Sequence, residues 1–124
     1  MTDSKHSVLF VDDAADTRSL VEWSLRQDGF DITTAQTADQ GLNLARANSY
    51  SLILLDIGLP DKDGLELCRE IRAFDPDTPI LFYTAFADLL DHEKAIAAGA
   101  QGCLRKPEDT TRLAAAIRAL VEKR

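Results

Sequence analysis

The stretch from Ser51 to Pro60, SLILLDIGLP, constrains the fold more than any other part of the chain. Leu52 to Leu55 is an unbroken apolar run, which reads as a strand buried on both faces. It ends on the carboxylate of Asp56, and Gly58 and Pro60 then break it into a loop. A charge at the end of a buried strand is costly unless it is solvated, paired or bound to a metal. In an open parallel sheet the carboxyl ends of the strands are where ligands bind. Asp56 is therefore the first candidate for chemistry. The plainer alternative is an aspartate that opens a turn.

The rest of the chain repeats the theme. Ser7 to Val11 is a short apolar strand closing on Asp12 and Asp13. Asp16 to Asp28 has a helical pattern, with Leu20, Val21 and Leu25 on one face, Trp23 off that stripe as a partly exposed aromatic, and Gly29 as the stop. Phe30 to Ala35 reads as a second strand. Thr37 with Gln40 then forms a capping-box pattern before a helix whose inner face is Ala38, Gly41, Leu42 and Ala45. After the third strand, a helix from about Gly64 to Phe74 places Gly64, Leu67, Cys68 and Ile71 inward, which makes Cys68 a small core hydrophobe.

Pro76 and Pro79 bracket the turn into a fourth strand, Ile80 to Thr84. Asp88 to Ala98 reads as a helix with Ala95 and Ile96 inward and Gly99 as its stop. Gly102 to Arg105 is a fifth strand ending on Lys106 and Pro107. A last helix is expected from about Glu108, with Leu113, Ala116, Ile117 and Leu120 on one face. Five strands alternating with five helices predict an α/β fold with a parallel sheet covered on both sides.

Composition narrows the function classes. A chain of 124 residues fits one domain, read here as spanning 1–124 with no effector domain, and 45% hydrophobic residues suffice for a core. The net charge of −7 argues against nucleic-acid binding by this domain itself. No apolar run approaches the roughly 20 residues needed to span a bilayer, and the first residues hold no secretory segment. Cys68 and Cys103 form no metal or redox motif by spacing, so reduced thiols in a cytoplasmic protein are expected.

The strand ends then collect into one constellation: Asp12 and Asp13 from strand one, Asp56 from strand three, Thr84 from strand four and Lys106 from strand five. In a parallel sheet all these ends share an edge. Three carboxylates at close range repel one another, and a hard divalent cation with oxygen ligands relieves this while leaving positions for a phosphoryl oxygen. A lysine adds a second positive charge for an incoming anion, and a threonine hydroxyl can donate to it. These are the parts phosphoryl transfer needs, with a carboxylate as nucleophile. Each residue has a plain reading: Asp12 and Asp13 as helix caps, Lys106 as a solvated lysine, Thr84 as a strand residue. Their joint occurrence at strand ends favours the shared site.

The chain at this point resembles the receiver domain of two-component response regulators. The resemblance rests on Val11-Asp12-Asp13, on Leu55-Asp56 through Pro60 followed by Asp63-Gly64, on Thr84-Ala85, on Ala98-Gly99-Ala100 and on Lys106-Pro107. It implies a single doubly wound (βα)5, flavodoxin-like domain with strand order 2-1-3-4-5. It implies that Asp56 is the phosphoacceptor, taking a phosphoryl group from a sensor histidine kinase or a histidine phosphotransfer protein. By the same resemblance Asp12, Asp13, Asp56 and the backbone carbonyl of Gly58 hold Mg²⁺ (or Mn²⁺). Lys106 pairs with the acceptor and then the phosphoryl oxygens, Thr84 hydrogen-bonds the phosphoryl group, and the Lys106–Pro107 bond is cis. The output is a change in partner binding on the surface of helix four, strand five and helix five, around Leu89, Leu90, Cys103 and Arg105, toward an unknown downstream protein or effector domain. Such a domain is not an enzyme beyond its own phosphorylation and dephosphorylation, and membrane binding is not implied.

Three positions depart from the family pattern. Cys103 stands three residues before the lysine, where the family carries the aromatic that swings inward on phosphorylation. Glu108 stands where an apolar aromatic is common. Gly58 and Phe86, two residues beyond Asp56 and Thr84, flank the path of attacking water. Three rival functions stand beside the receiver: a degenerate receiver that binds partners without phosphorylation, for which Cys103 speaks; an aspartate-nucleophile phosphatase of the haloacid dehalogenase type, which lacks its second acid because Gly58 occupies that place; and a flavodoxin-like cofactor binder, which lacks a Gly-rich phosphate loop after strand one.

Overall fold

The computed structural model describes residues 6–85, 92–107 and 109–122. Strands β1 (Ser7–Val11), β2 (Asp31–Ala35), β3 (Leu52–Leu55), β4 (Ile80–Thr84) and β5 (Gly102–Arg105) form one parallel sheet in the order β2-β1-β3-β4-β5. Between them run α1 (Ala15–Gln27), α2 (Ala38–Ala47), α3 (Gly64–Arg72) and α4 (His92–Ala98), and α5 (Leu113–Val121) follows β5.

Alternation along the strands splits the core in two. Leu9, Val11, Ile53, Leu55, Ile80 and Phe82 face α2, α3 and α4, while Val8, Phe10, Leu52, Leu54, Leu81 and Tyr83 face α1 and α5. All four residues of β3 are buried, as its unbroken apolar run predicts. Each such side chain contributes about 1.5–3 kcal/mol of burial before entropy is charged against it.

The inner faces of α2 and α3 are the expected ones: Ala38, Gly41, Leu42 and Ala45 on one, Gly64, Leu67, Cys68 and Ile71 on the other, all buried. Gly29 and Gly99 end their helices at φ of 90° and 107°. At the start of α2, Thr37 accepts from the Gln40 amide as a capping box requires, but the Gln40 side chain returns to the amide of Gln36, one residue before the cap.

Two side chains expected inward turn outward. Leu20 is 55% exposed and Ile96 48%. On α1 the inner stripe is Val21 and Leu25, and on α4 it is Ala95 and Ala98. A neighbouring position lies about 100° around the helix, so Leu20 and Ile96 fall outside stripes that one sheet face can cover. Trp23 is 64% exposed, as expected of a residue off the stripe. The last helix also begins later than expected. Thr110–Arg112 forms a 3₁₀ turn first, because Asp109 spends one carboxylate oxygen on the Arg105 amide and the other on Arg112. The expected beginning of α4 at Asp88, together with Phe86, Leu89, Leu90 and Glu108, lies outside the described residues.

Candidate functional site

The parallel register brings the ends of β1 and β3 side by side. The Asp56 amide donates to the Val11 carbonyl at 3.0 Å, and the Asp12 amide to the Ala35 carbonyl of β2 at 3.0 Å. Asp12 is fully buried and Asp56 nearly so. Asp12 Oδ1 accepts from the Ala14 amide at 2.9 Å, and its carbonyl accepts from the Arg18 guanidinium at 2.8 Å. Asp56 Oδ1 accepts from the amide of Ile57 at 2.7 Å. Asp13 is exposed at the rim. One carboxylate oxygen from each of Asp12, Asp13 and Asp56 lies within 4.8 Å of the others.

Lys106 enters from the far side. Its amide donates to the Thr84 carbonyl at 3.1 Å, which ties the end of β5 to the end of β4, and its bond to Pro107 is cis. Its ammonium bridges the two buried acids, hydrogen-bonding Asp12 Oδ2 and reaching Asp56 Oδ2 at 3.1 Å. The same nitrogen stands 5.4 Å from the centroid of the Tyr83 ring. Thr84 is fully buried at the end of β4, and Gly58 is half-buried in the loop after β3.

That loop is pinned at several points. Asp61 reaches back to the start of α2 and accepts from the amides of Ala38 and Asp39 at 2.8 and 2.9 Å. Lys62 donates to Glu70 on α3 at 2.6 Å. The Gly64 amide donates to the Ile57 carbonyl at 2.9 Å. A Cβ at Gly64 would stand 2.1 Å from the Asp56 carbonyl oxygen, so only glycine lets α3 start this close to the acid.

The electrostatics follow from the count of charges. Three carboxylates and one ammonium leave the pocket about two negative charges in excess. Burial pushes the Asp12 carboxyl above its ordinary value against the hydrogen bonds from Lys106 and Ala14, and the Asp56 charge adds to the rise. Burial alone would lower Lys106, but the Asp12 and Asp56 carboxylates more than reverse this and its ammonium is held above the usual range. The Lys106 shift shows that the two carboxylates favour a positive charge beside them, whereas the Asp12 shift records chiefly its burial. A hard divalent cation with oxygen ligands fits this donor set.

The structure thus brings together Asp12, Asp13, Asp56 and Lys106, with Thr84 joined to Lys106 through the backbone. Three features escaped the sequence reading. The direct contact of Lys106 with Asp12 joins residues 94 positions apart. Asp61 caps a helix that precedes it in the chain, and an aspartate in a Pro-Asp-Lys loop signals only a turn. Tyr83 lies within an apolar strand run and signals only core. Cys103 is half-buried against the α2–α4 side of the core; its Sγ lies 3.9 Å from the Leu104 carbonyl, and burial pushes its thiol up.

Comparison with known proteins agrees with this geometry. The response regulator receiver domain family matches residues 8–118. The response regulator ArlR of Staphylococcus saprophyticus is 36% identical over 94% of the chain, and the transcriptional regulatory protein CseB of Streptomyces coelicolor is 37% identical over 99%. The chain spans about half the length of these relatives, 52% of each. A CheY-like receiver domain protein from Methanospirillum hungatei superposes with a TM-score of 0.91 at 28% identity, covering 97% of this chain and 96% of that one. The receiver domain of the sensor histidine kinase PA1611 from Pseudomonas aeruginosa, solved with a magnesium ion coordinated in its active-site cleft, gives 0.87 at 30% identity over 96% of this chain and 99% of that one. The response regulator TrrA of Thermotoga maritima, solved in complex with Mg²⁺-BeF, gives 0.85 at 29% identity over 93% of this chain and 98% of that one. An acid pocket at the carboxyl edge of a 2-1-3-4-5 sheet, a family match along nearly all of the chain and relatives above 30% identity lead to one conclusion: this chain belongs to the response regulator receiver domain family.

Proposed function

We propose that this receiver accepts a phosphoryl group on Asp56, in a Mg²⁺-dependent reaction, from the phosphohistidine of a sensor histidine kinase or a histidine phosphotransfer protein. The observation that carries the reading is Lys106, whose ammonium bridges Asp12 and Asp56 in a pocket that still holds more carboxylates than cations. Asp12, Asp13, Asp56 and the Gly58 carbonyl would hold Mg²⁺ (or Mn²⁺), which supplies charge neutralisation for phosphoryl oxygens. The Ile57 amide orients the Asp56 carboxylate. One Asp56 oxygen attacks phosphorus as the phosphorus–nitrogen bond of the donor breaks, giving an aspartyl phosphate and a free imidazole. Lys106 is placed to meet the charge on the transferred oxygens, and Thr84, at the end of β4, would donate to one of them.

The output in this reading is a change in partner binding on the α4, β5 and α5 side, toward a downstream protein or effector domain. The cytoplasm is the compartment it expects, and the net charge of −7 disfavours direct nucleic-acid binding. No helix among the described residues is long and apolar enough to cross a membrane.

The test is intact-mass spectrometry after incubation with Mg²⁺ and acetyl phosphate or a candidate kinase. The expected result is one added phosphoryl group, stable in acid and labile in base, that Asp56→Asn does not acquire. The alternative is a degenerate receiver that binds partners without phosphorylation. It draws support from Cys103, whose small thiol occupies the position of the expected aromatic. An unchanged mass with every donor selects that alternative.

A further inference from the structure

The face of the sheet that carries Thr84, Phe82 and Cys103 offers no large side chain at position 103 to respond to the site. The opposite face carries Tyr83, between Phe82 and Thr84 on β4. Tyr83 is 2% exposed, packs against Phe10 with ring centroids 6.2 Å apart, and belongs to the core layer shared with Leu113 and Ile117 of α5. Two contacts set it apart from an ordinary core aromatic. Its ring lies 5.4 Å from the Lys106 ammonium, within the range of cation–π attraction. Its hydroxyl hydrogen-bonds the Thr110 hydroxyl at 2.5 Å.

Thr110 in turn belongs to the turn that Lys106 begins. Its amide donates to the Pro107 carbonyl at 3.1 Å, and the Asp109 amide donates to the Arg105 carbonyl at 2.8 Å. Thr110 also opens the 3₁₀ turn that leads directly into α5. Tyr83 therefore touches both ends of one short segment: the ammonium inside the acid pocket and the residue from which the last helix departs.

We propose that Tyr83 is the positioning residue that couples the acid pocket to α5, through its ring contact with Lys106 and its hydroxyl bond to Thr110. This rests on the phosphoryl-acceptor reading. When a phosphoryl group on Asp56 draws the Lys106 ammonium to its oxygens, the ring loses or shifts its cation. The hydroxyl bond carries that change to Thr110 and the start of α5. The route bypasses Cys103 and makes the beginning of α5 the responsive surface. Coupling along this route is read in the amides at its two ends.

Amide NMR spectra of the full chain are recorded with and without Mg²⁺ and beryllofluoride, the phosphoryl stand-in, for wild type, Tyr83→Phe and Thr110→Val. Both variants keep the shape of the side chain and remove one hydroxyl. In wild type, Ile57 and Lys106 shift, and so do residues 109–113. In each variant the shifts at Ile57 and Lys106 remain, while those at 109–113 fall to less than half. A loss of packing alone would change melting temperature without separating these two groups of amides. Equal responses at 109–113 in wild type and both variants overturn this inference and leave the acceptor reading standing. An absence of change at Ile57 and Lys106 in wild type overturns the acceptor reading and this one with it.

Discussion

The two edges of the sheet handle charge in opposite ways. At the amino edge Arg72 closes the structure. Its guanidinium donates to the carbonyls of Gly99 and Asp75 at 2.8 and 2.9 Å and to the Gln101 side chain at 3.2 Å. The same Gln101 oxygen accepts the Ile80 amide at 2.7 Å. Asp75 caps its own turn by accepting from the amides of Asp77 and Thr78. At the carboxyl edge three acids converge on one ammonium. One edge spends its charges on backbone groups that would otherwise be unpaired. The other keeps a surplus in place, held there by the burial of β1 and β3. The first arrangement serves stability, and the second leaves binding capacity.

The largest way to break this contrast is at Gly64. In Gly64→Ala the new methyl group collides with the Asp56 backbone, so α3 or the acid must move. Overpacking of this kind costs about 1–3 kcal/mol or more, and thermal denaturation should show the loss together with weakened Mg²⁺ binding. Arg72→Ala should cost about 1.5–3 kcal/mol, the range for hydrogen bonds made by a charged group. Its Mg²⁺ titration should match wild type, because the substitution acts at the other edge. A changed metal affinity in Arg72→Ala would show that the edges are not independent.

Asp12→Asn should act with the opposite sign. Because burial disfavours the charged form of Asp12, the neutral amide should stabilise the metal-free protein by about 0.5–2 kcal/mol, read as a raised melting temperature, while weakening Mg²⁺ binding. A lowered melting temperature would show that the ion pair with Lys106 outweighs the crowding.

The smallest and sharpest comparison is in pH. Asp12 has a folded pKa above its unfolded value of 3.8, so its favourable contribution is present below that value and lost as pH rises through the folded pKa. Asp75 is shifted the other way. Burial opposes the shift, but the Thr78 hydroxyl and the Thr78 and Asp77 amides hold it low. Its contribution is present above 3.8 and lost as pH falls through the folded pKa. Melting curves between about pH 3 and pH 7 should therefore show Asp12→Asn stabilising and Asp75→Asn destabilising at the neutral end. Both differences should shrink toward acid; two differences of the same sign would contradict the contrast.

Much of the fold was legible because its signals are local. The run Leu52–Leu55, the inner stripes of α2 and α3 and the glycine stops are each set by spacing within a few residues. Leu20 and Ile96 turn outward because apolar spacing in sequence does not record how much of a helix a neighbouring layer covers. The start of α5 is not legible in the sequence because an aspartate at 109 suits a helix cap or a turn equally, and its contacts with Arg105 and Arg112 select the turn.

At the site, spacing along the chain places five residues at strand ends: Asp12, Asp13, Asp56, Thr84 and Lys106 each follow or close an apolar run. Beyond the pairing of Lys106 with Asp56, which the family resemblance implies, which of them touch depends on strand order and register. Lys106 meets Asp12 across 94 positions and Asp56 across 50, distances at which chain order carries no information on contact until strand order and register are known. The same holds for Asp61 on the amides of α2 and for Tyr83 between Lys106 and Thr110. Periodicity records what a residue faces. Packing alone records what meets it there.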